Sequence, residues 1–141
     1  MFRRSLVLAS FAVMIAGSAS AATEKFHATL TAGAAAPPTK STGSGEATAT
    51  LDTATHELTY DVTFKGFSSD VTAAHIHGPA EAGKNAGVAV PLGTAPKSPI
   101  HGTAKLTPEQ EQQLMAGMLY VNIHTKNNPS GAIRGQLTMV K

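Results

Sequence analysis

The sequence predicts an all-β domain, a sandwich or flattened barrel of about seven to eight short strands with one short connecting helix. Three observations predict it. Beyond the first two dozen residues, apolar side chains recur at alternate positions rather than every third or fourth, the period of half-buried strands. Clusters of Gly, Pro, Ser and Asn separate these runs at short intervals. A single segment, starting near residue 107, carries helix start and stop signals.

The opening segment, "MFRRSLVLASFAVMIAGSASAA", has a basic start at Arg3 and Arg4, an apolar run from Leu6 to Ala16, and small residues after it. This is the pattern of a secretory signal peptide over residues 1–22, with Ala19-Ser20-Ala21 as the cleavage triplet. The expected product is one exported domain over residues 23–141, destined for a periplasm or the extracellular space. Removing Arg3 and Arg4 leaves nine basic residues against nine acidic ones, so the basic pI of the whole chain does not describe the domain. A near-neutral chain without a basic cluster has no electrostatic footprint for nucleic acid, and no second apolar run is long enough for a membrane span. Cysteine is absent. That excludes disulfides, thiol catalysis and thiolate zinc sites, and leaves histidine, carboxylate or backbone oxygen as metal ligands.

In "EKFHATL", Phe26, Ala28 and Leu30 share a face; in "EATATL", Ala47, Ala49 and Leu51 do the same, and "AGAAAPPTKSTGSG" between them reads as a loop. "HELTYDVTF" is the clearest strand, with Leu58, Tyr60, Val62 and Phe64 inward, and it is expected to form a hairpin with the preceding one. "VTAAHIH" follows, then the glycine-rich "GPAEAGKNAG", a short strand "VAVPL", and a strand starting near Ile100. In "LTPEQEQQLMAG", Thr107 is the expected N-cap, Pro108 the first helical residue, Gln110 the partner of a capping box and Gly117 the stop. This helix spans two to three turns across one end of the sandwich. "LYVNIHT" and "GAIRGQLTM" close the chain as two strands joined around "KNNPS".

Strand parity then gives direction to the polar residues. With Ile76 inward, His75 and His77 both face the other side; with Val121 and Ile123 inward, Tyr120, Asn122 and His124 lie on the outer face. In the last strand, Ile133 and Leu137 inward place Arg134 and Gln136 outward, and the turn register sets His124 opposite either Arg134 or Ala132. If the two strand regions are neighbours, His75, His77, His124 and Arg134 share one surface. Three imidazoles so placed form a nitrogen ligand set that suits copper or zinc. His27, His56 and His101 are weaker candidates, with His101 a conceivable fourth ligand. The chain has no Gly-x-Ser-x-Gly, no phosphate loop and no distinguishable carboxylate pair, so no catalytic residues are assigned and the balance falls toward binding rather than catalysis. Three readings stay open: a metal site, a module presenting loops and a polar face to an exported protein or glycan, and a polar seam in which the histidines satisfy nearby carbonyls.

The blocks "AHIHGPAEAG", the helix leading into "GMLYVNIHT", and "NPSGAIRGQL" resemble, in this order, those of the CHRD family, the domain named after chordin and also found in exported bacterial proteins. The resemblance runs from about Glu24 to Val140. It implies a single Greek-key, immunoglobulin-like β-sandwich or barrel, and more about shape than about activity. Ala132 stands where such proteins often carry an acidic residue. A fainter resemblance is to copper and zinc superoxide dismutases: "HIH", "VNIH" and "GAIR" occur in that enzyme's order. It implies His75, His77 and His124 as copper ligands and Arg134 as an anion-attracting or supporting residue. The loop after His77 holds neither histidine nor aspartate, so the zinc site and bridging ligand of that enzyme have no counterparts, and a full dismutase is not expected.

Overall fold

The computed structural model describes residues 12–14, 17 and 22–141; most of the segment read as a signal peptide, residues 1–22, lies outside the described residues. Among the described residues, nine strands form two antiparallel sheets. In chain order they are β1 (Thr23–Leu30), β2 (Ser44–Asp52), β3 (Glu57–Lys65), β4 (Val71–His77), β5 (Val88–Thr94), β6 (Ile100–Lys105), then helix α1 (Pro108–Met115), β7 (Tyr120–Thr125), β8 (Ile133–Gln136) and β9 (Thr138–Met139). One sheet runs β6-β3-β2-β1-β9 and the other β5-β4-β7-β8. After β3 the chain crosses to lay β4 and β5 in the second sheet, then returns β6 to the side of β3, the between-sheet crossover of a Greek-key arrangement.

The alternating pattern explains the core. Phe26, Leu30, Leu51, Leu58 and Val62 from the first sheet meet Ile76, Val121, Ile123 and Ile133 from the second, all buried. Each such side chain contributes roughly 1.5–3 kcal/mol by leaving water. The β2–β3 hairpin is formed as the pattern predicts, with Ala49 opposite Tyr60 and Leu51 opposite Leu58. On one side the sheets are joined by a bridge in which Thr31 and Arg134 exchange backbone hydrogen bonds of 3.0 Å.

Helix α1 carries the chain from the first sheet back to the second. Thr107 accepts from the Gln110 N–H while the Gln110 side chain accepts from the Thr107 N–H, completing the expected capping box, and Gly117 follows the C-cap with φ 73°. Leu114 is its one buried anchor.

The strand count exceeds the expected seven to eight because "GAIRGQLTM" is two strands rather than one. Its strand pairing breaks at Leu137, whose side chain is buried as the alternation expects and whose N–H bonds to Leu119 O; β8 before it belongs to one sheet and β9 after it pairs with β1 in the other. Among the described residues, no helix is long and apolar enough to cross a membrane.

Candidate metal centre

β7 lies between β4 and β8, so the outer face of the second sheet is a grid of polar residues. Across it run the rows His77–Tyr120–Gln136 and His75–Asn122–Arg134, with His124 opposite Ala73 in the next row. The question of register is thereby answered: Arg134 pairs with Asn122, not with His124. The β4–β5 register shifts between Ala74 and His75 and again between Ile76 and His77. Such irregularities increase local twist and re-aim side chains. The two rings of the His-x-His lean together, with centroids 5.3 Å apart.

The structure brings His75, His77 and His124 together so that one nitrogen from each lies within 4.8 Å of the others. His75 Nδ1 is 3.1 Å from His124 Nε2, and His77 Nε2 is 3.3 Å from the same atom. His77 Nδ1 donates to Ala86 O and His124 Nδ1 donates to Pro129 O, each at 2.9 Å. A carbonyl only accepts, so each of these rings carries its proton on Nδ1 and, when neutral, presents a bare lone pair at Nε2. Two lone pairs therefore face each other at 3.3 Å, and only His75 has a proton to share with them. A cation supplies what this arrangement lacks. An ion bound at about 2.0–2.1 Å to imidazole holds neighbouring nitrogens roughly 3.3–3.6 Å apart, close to both short separations seen here.

Electrostatics favour the neutral, ligating form. Burial, followed by the neighbouring charges of His124 and His77, lowers the pKa of His75 below its ordinary value. His77 is lowered too, chiefly by burial and further by His124 and Arg134, against an opposing hydrogen bond to Ala86.

The face is not open to water as parity alone suggested. His77 and His124 are each only 9% exposed, because residues 78–87 and 126–131 fold back over them; His75 is the half-exposed member. Gly78 makes the first fold possible: a Cβ there would lie 2.3 Å from the Leu119 side chain and 2.8 Å from Met118 O. Its N–H closes the loop on Gly87 O at 3.1 Å. The second loop is held by Gly131, whose φ is 126° and whose Cβ position would fall 2.4 Å from Asn122 Oδ1. That oxygen is buried without a hydrogen-bond partner among the described residues.

Arg134 shares the face but does not touch the triad. Its guanidinium lies 3.5 Å over the Tyr120 ring, and the other neighbour of that ring is His77, stacked within 8° of parallel. Since β7 separates β4 from β8, Tyr120 stands between the arginine and the histidines. The Tyr120 hydroxyl accepts from Ala86 N at 2.9 Å, so the tyrosine also positions the carbonyl that holds His77. His101 is no fourth ligand: it lies on β6 in the other sheet, bonded to Asp61. His27 and His56 likewise pair with Glu46 and Glu111. The part that sequence reasoning missed is the carbonyl support from Ala86 and Pro129. A signal was present, since each buried histidine is followed closely by a turn-rich segment able to double back on it.

Compared with known proteins, residues 26–137 match the family model described as CHRD domain. No curated protein and no solved structure matches the chain.

Proposed function

Because the chain belongs to the CHRD domain family, and because family membership speaks to shape more than to task, we propose from its own residues that it is an exported binding module whose histidine triad holds a copper ion. The observation that carries this reading is the pair of Nδ1–H···O=C bonds, His77 to Ala86 and His124 to Pro129, which point two Nε2 lone pairs at one spot beside His75 Nδ1. Backbone carbonyls fixing the tautomer of ligating imidazoles are the usual support of a metal centre. A purely structural seam would instead give each ring nitrogen a complementary partner.

Copper is favoured over other divalent ions by the all-imidazole donor set and by the general order of affinities. Three protein nitrogens leave a further position on the side of half-exposed His75, where an exchangeable ligand would bind. Export is supported by the signal-like pattern of residues 1–22. Copper buffering fits these features. A dismutase-like activity has less support, because the Arg134 guanidinium is engaged with Tyr120 and the loop over it.

Titration of tag-free protein with Cu(II) and Zn(II) tests the reading. Stoichiometric binding of one Cu(II), tighter than Zn(II), with loss in the His75→Ala, His77→Ala, His124→Ala triple variant, is expected. A triple variant that binds copper as tightly as the parent would overturn the ligand set.

A further inference from the structure

Arg134 is 1% exposed and is the one buried lysine or arginine among the described residues. Among the described residues no carboxylate pairs with it: its hydrogen-bond partners are Glu81 O at 3.0 Å, Gln136 Oε1 at 2.9 Å and Asn85 Oδ1 at 3.3 Å, all neutral. Glu81 offers a clear contrast. It turns its backbone carbonyl to the guanidinium and its carboxylate outward to Lys84, 3.0 Å away. Three acceptors and the Tyr120 face offset part of the cost of burying a cation, but not its net charge. Of the five guanidinium hydrogens these contacts use three.

On its other side Arg134 reaches the floor of a cleft of about 700 Å³, within the size range of small-ligand sites. The walls come from residues 33–38 and from Ala82 and Gly83, so they are mostly methyl, methylene and backbone, and Gln136 completes the floor. The two wall loops are tied together where the Asn85 amide donates to Ala36 O at 2.6 Å. None of the three clustered histidines lines this cleft.

We propose that this cleft is a second binding site, one for a small carboxylate that carries a compact apolar body. The anionic end would complete the charge of Arg134, and the apolar body would lie against Ala34, Ala36, Pro37, Pro38 and Ala82. A carboxylate oxygen can accept a charge-assisted hydrogen bond from a guanidinium hydrogen that these three contacts leave free, which a neutral group of the same shape does more weakly. The site is separate from the triad and does not depend on a metal.

The test uses benzoate as the probe and benzamide as its neutral counterpart, followed by amide shifts in the NMR spectrum of metal-free, isotope-labelled protein. Benzoate should shift the amides of residues 33–36 and 82–85 saturably, in the millimolar range or tighter, and benzamide should bind at least about tenfold more weakly. Arg134→Gln should lose the benzoate response. Because that variant removes a buried side chain and its fold is at stake, Ala82→Trp, at an exposed position of the wall, provides an independent block and should abolish binding with the fold retained. Absence of cleft shifts at about 20 mM benzoate, equal binding of benzamide, or undiminished binding by Ala82→Trp would each overturn the proposal.

Discussion

His124 is the common member of both short contacts in the triad, 3.1 Å to His75 and 3.3 Å to His77, so removing it takes away both nitrogen pairs that match a bound ion. Loss of a supporting group around a metal typically weakens binding 10- to 100-fold, and loss of a ligand should cost at least about a hundredfold, or about 2.7 kcal/mol. At a copper concentration about 100 times the dissociation constant, binding stabilises the parent by about 2.7 kcal/mol; the same concentration is then about one dissociation constant for His124→Ala and contributes only about 0.4 kcal/mol. For a domain of this size, 1 kcal/mol corresponds to roughly 3–6 °C. The expected outcome in a thermal melt is therefore a copper-dependent rise in Tm of about 10 °C for the parent and about 2 °C for the variant. The metal-free melts matter as well, since His124 also ties residue 129 to β7. If His124→Ala folds and keeps the full copper-dependent rise, the triad does not hold the ion and the argument from converging lone pairs fails.

Metal-free protein should lose stability on acidification. The folded pKa values of His75 and His77 lie below the ordinary 6.5, so the unfolded chain takes up more protons; their contribution is complete above about 6.5 and is lost as pH falls through the folded values. Melts between about pH 7.5 and pH 5 should show the decline, and His77→Ala should flatten it. Gly131→Ala should cost about 1–3 kcal/mol in urea denaturation, because it combines a φ of 126° with a contact on the Asn122 amide; a cost near zero would mean that the loop relaxes freely. Tyr120→Phe keeps the ring between Arg134 and His77 but removes the hydroxyl that accepts from Ala86 N, so copper affinity should fall about tenfold with a stability loss near 1 kcal/mol. Unchanged affinity by calorimetric titration would show that Ala86 O is held well enough without it.

The sequence carried the fold at the level of strand and face. Phe26, Leu58 and Ile76 are buried where their alternation puts them, and the signals at Thr107, Pro108, Gln110 and Gly117 became the helix they describe. Parity also turned His75, His77, His124 and Arg134 to the outer face of their strands, and the β4–β7–β8 pairing then places those strands in one sheet. What parity could not carry was depth, because a period of two says which side of a sheet a residue takes and nothing about what lies over that side. The cover depends on Gly78 and Gly131, whose importance rests on close approaches to Leu119, far away in sequence, and to Asn122 across the hairpin, which strand parity does not record. The same limit applied to "GAIRGQLTM". Its change of sheet at Leu137 follows from contacts with Leu119 and β1, which no local pattern in the segment records.

That change of sheet also decides how the domain can be joined to other polypeptides. β9 pairs antiparallel with β1, Phe26 opposite Met139, and Val140 N bonds to Lys25 O at 2.8 Å, so the first and last strands enter and leave the sandwich side by side. Ends this close let a domain be spliced into a surface loop of a host protein with little disturbance to either, or be closed and reopened elsewhere by circular permutation. The fold is thus a portable cassette, able to present its histidine face from within a longer polypeptide without rebuilding the sheets that hold it.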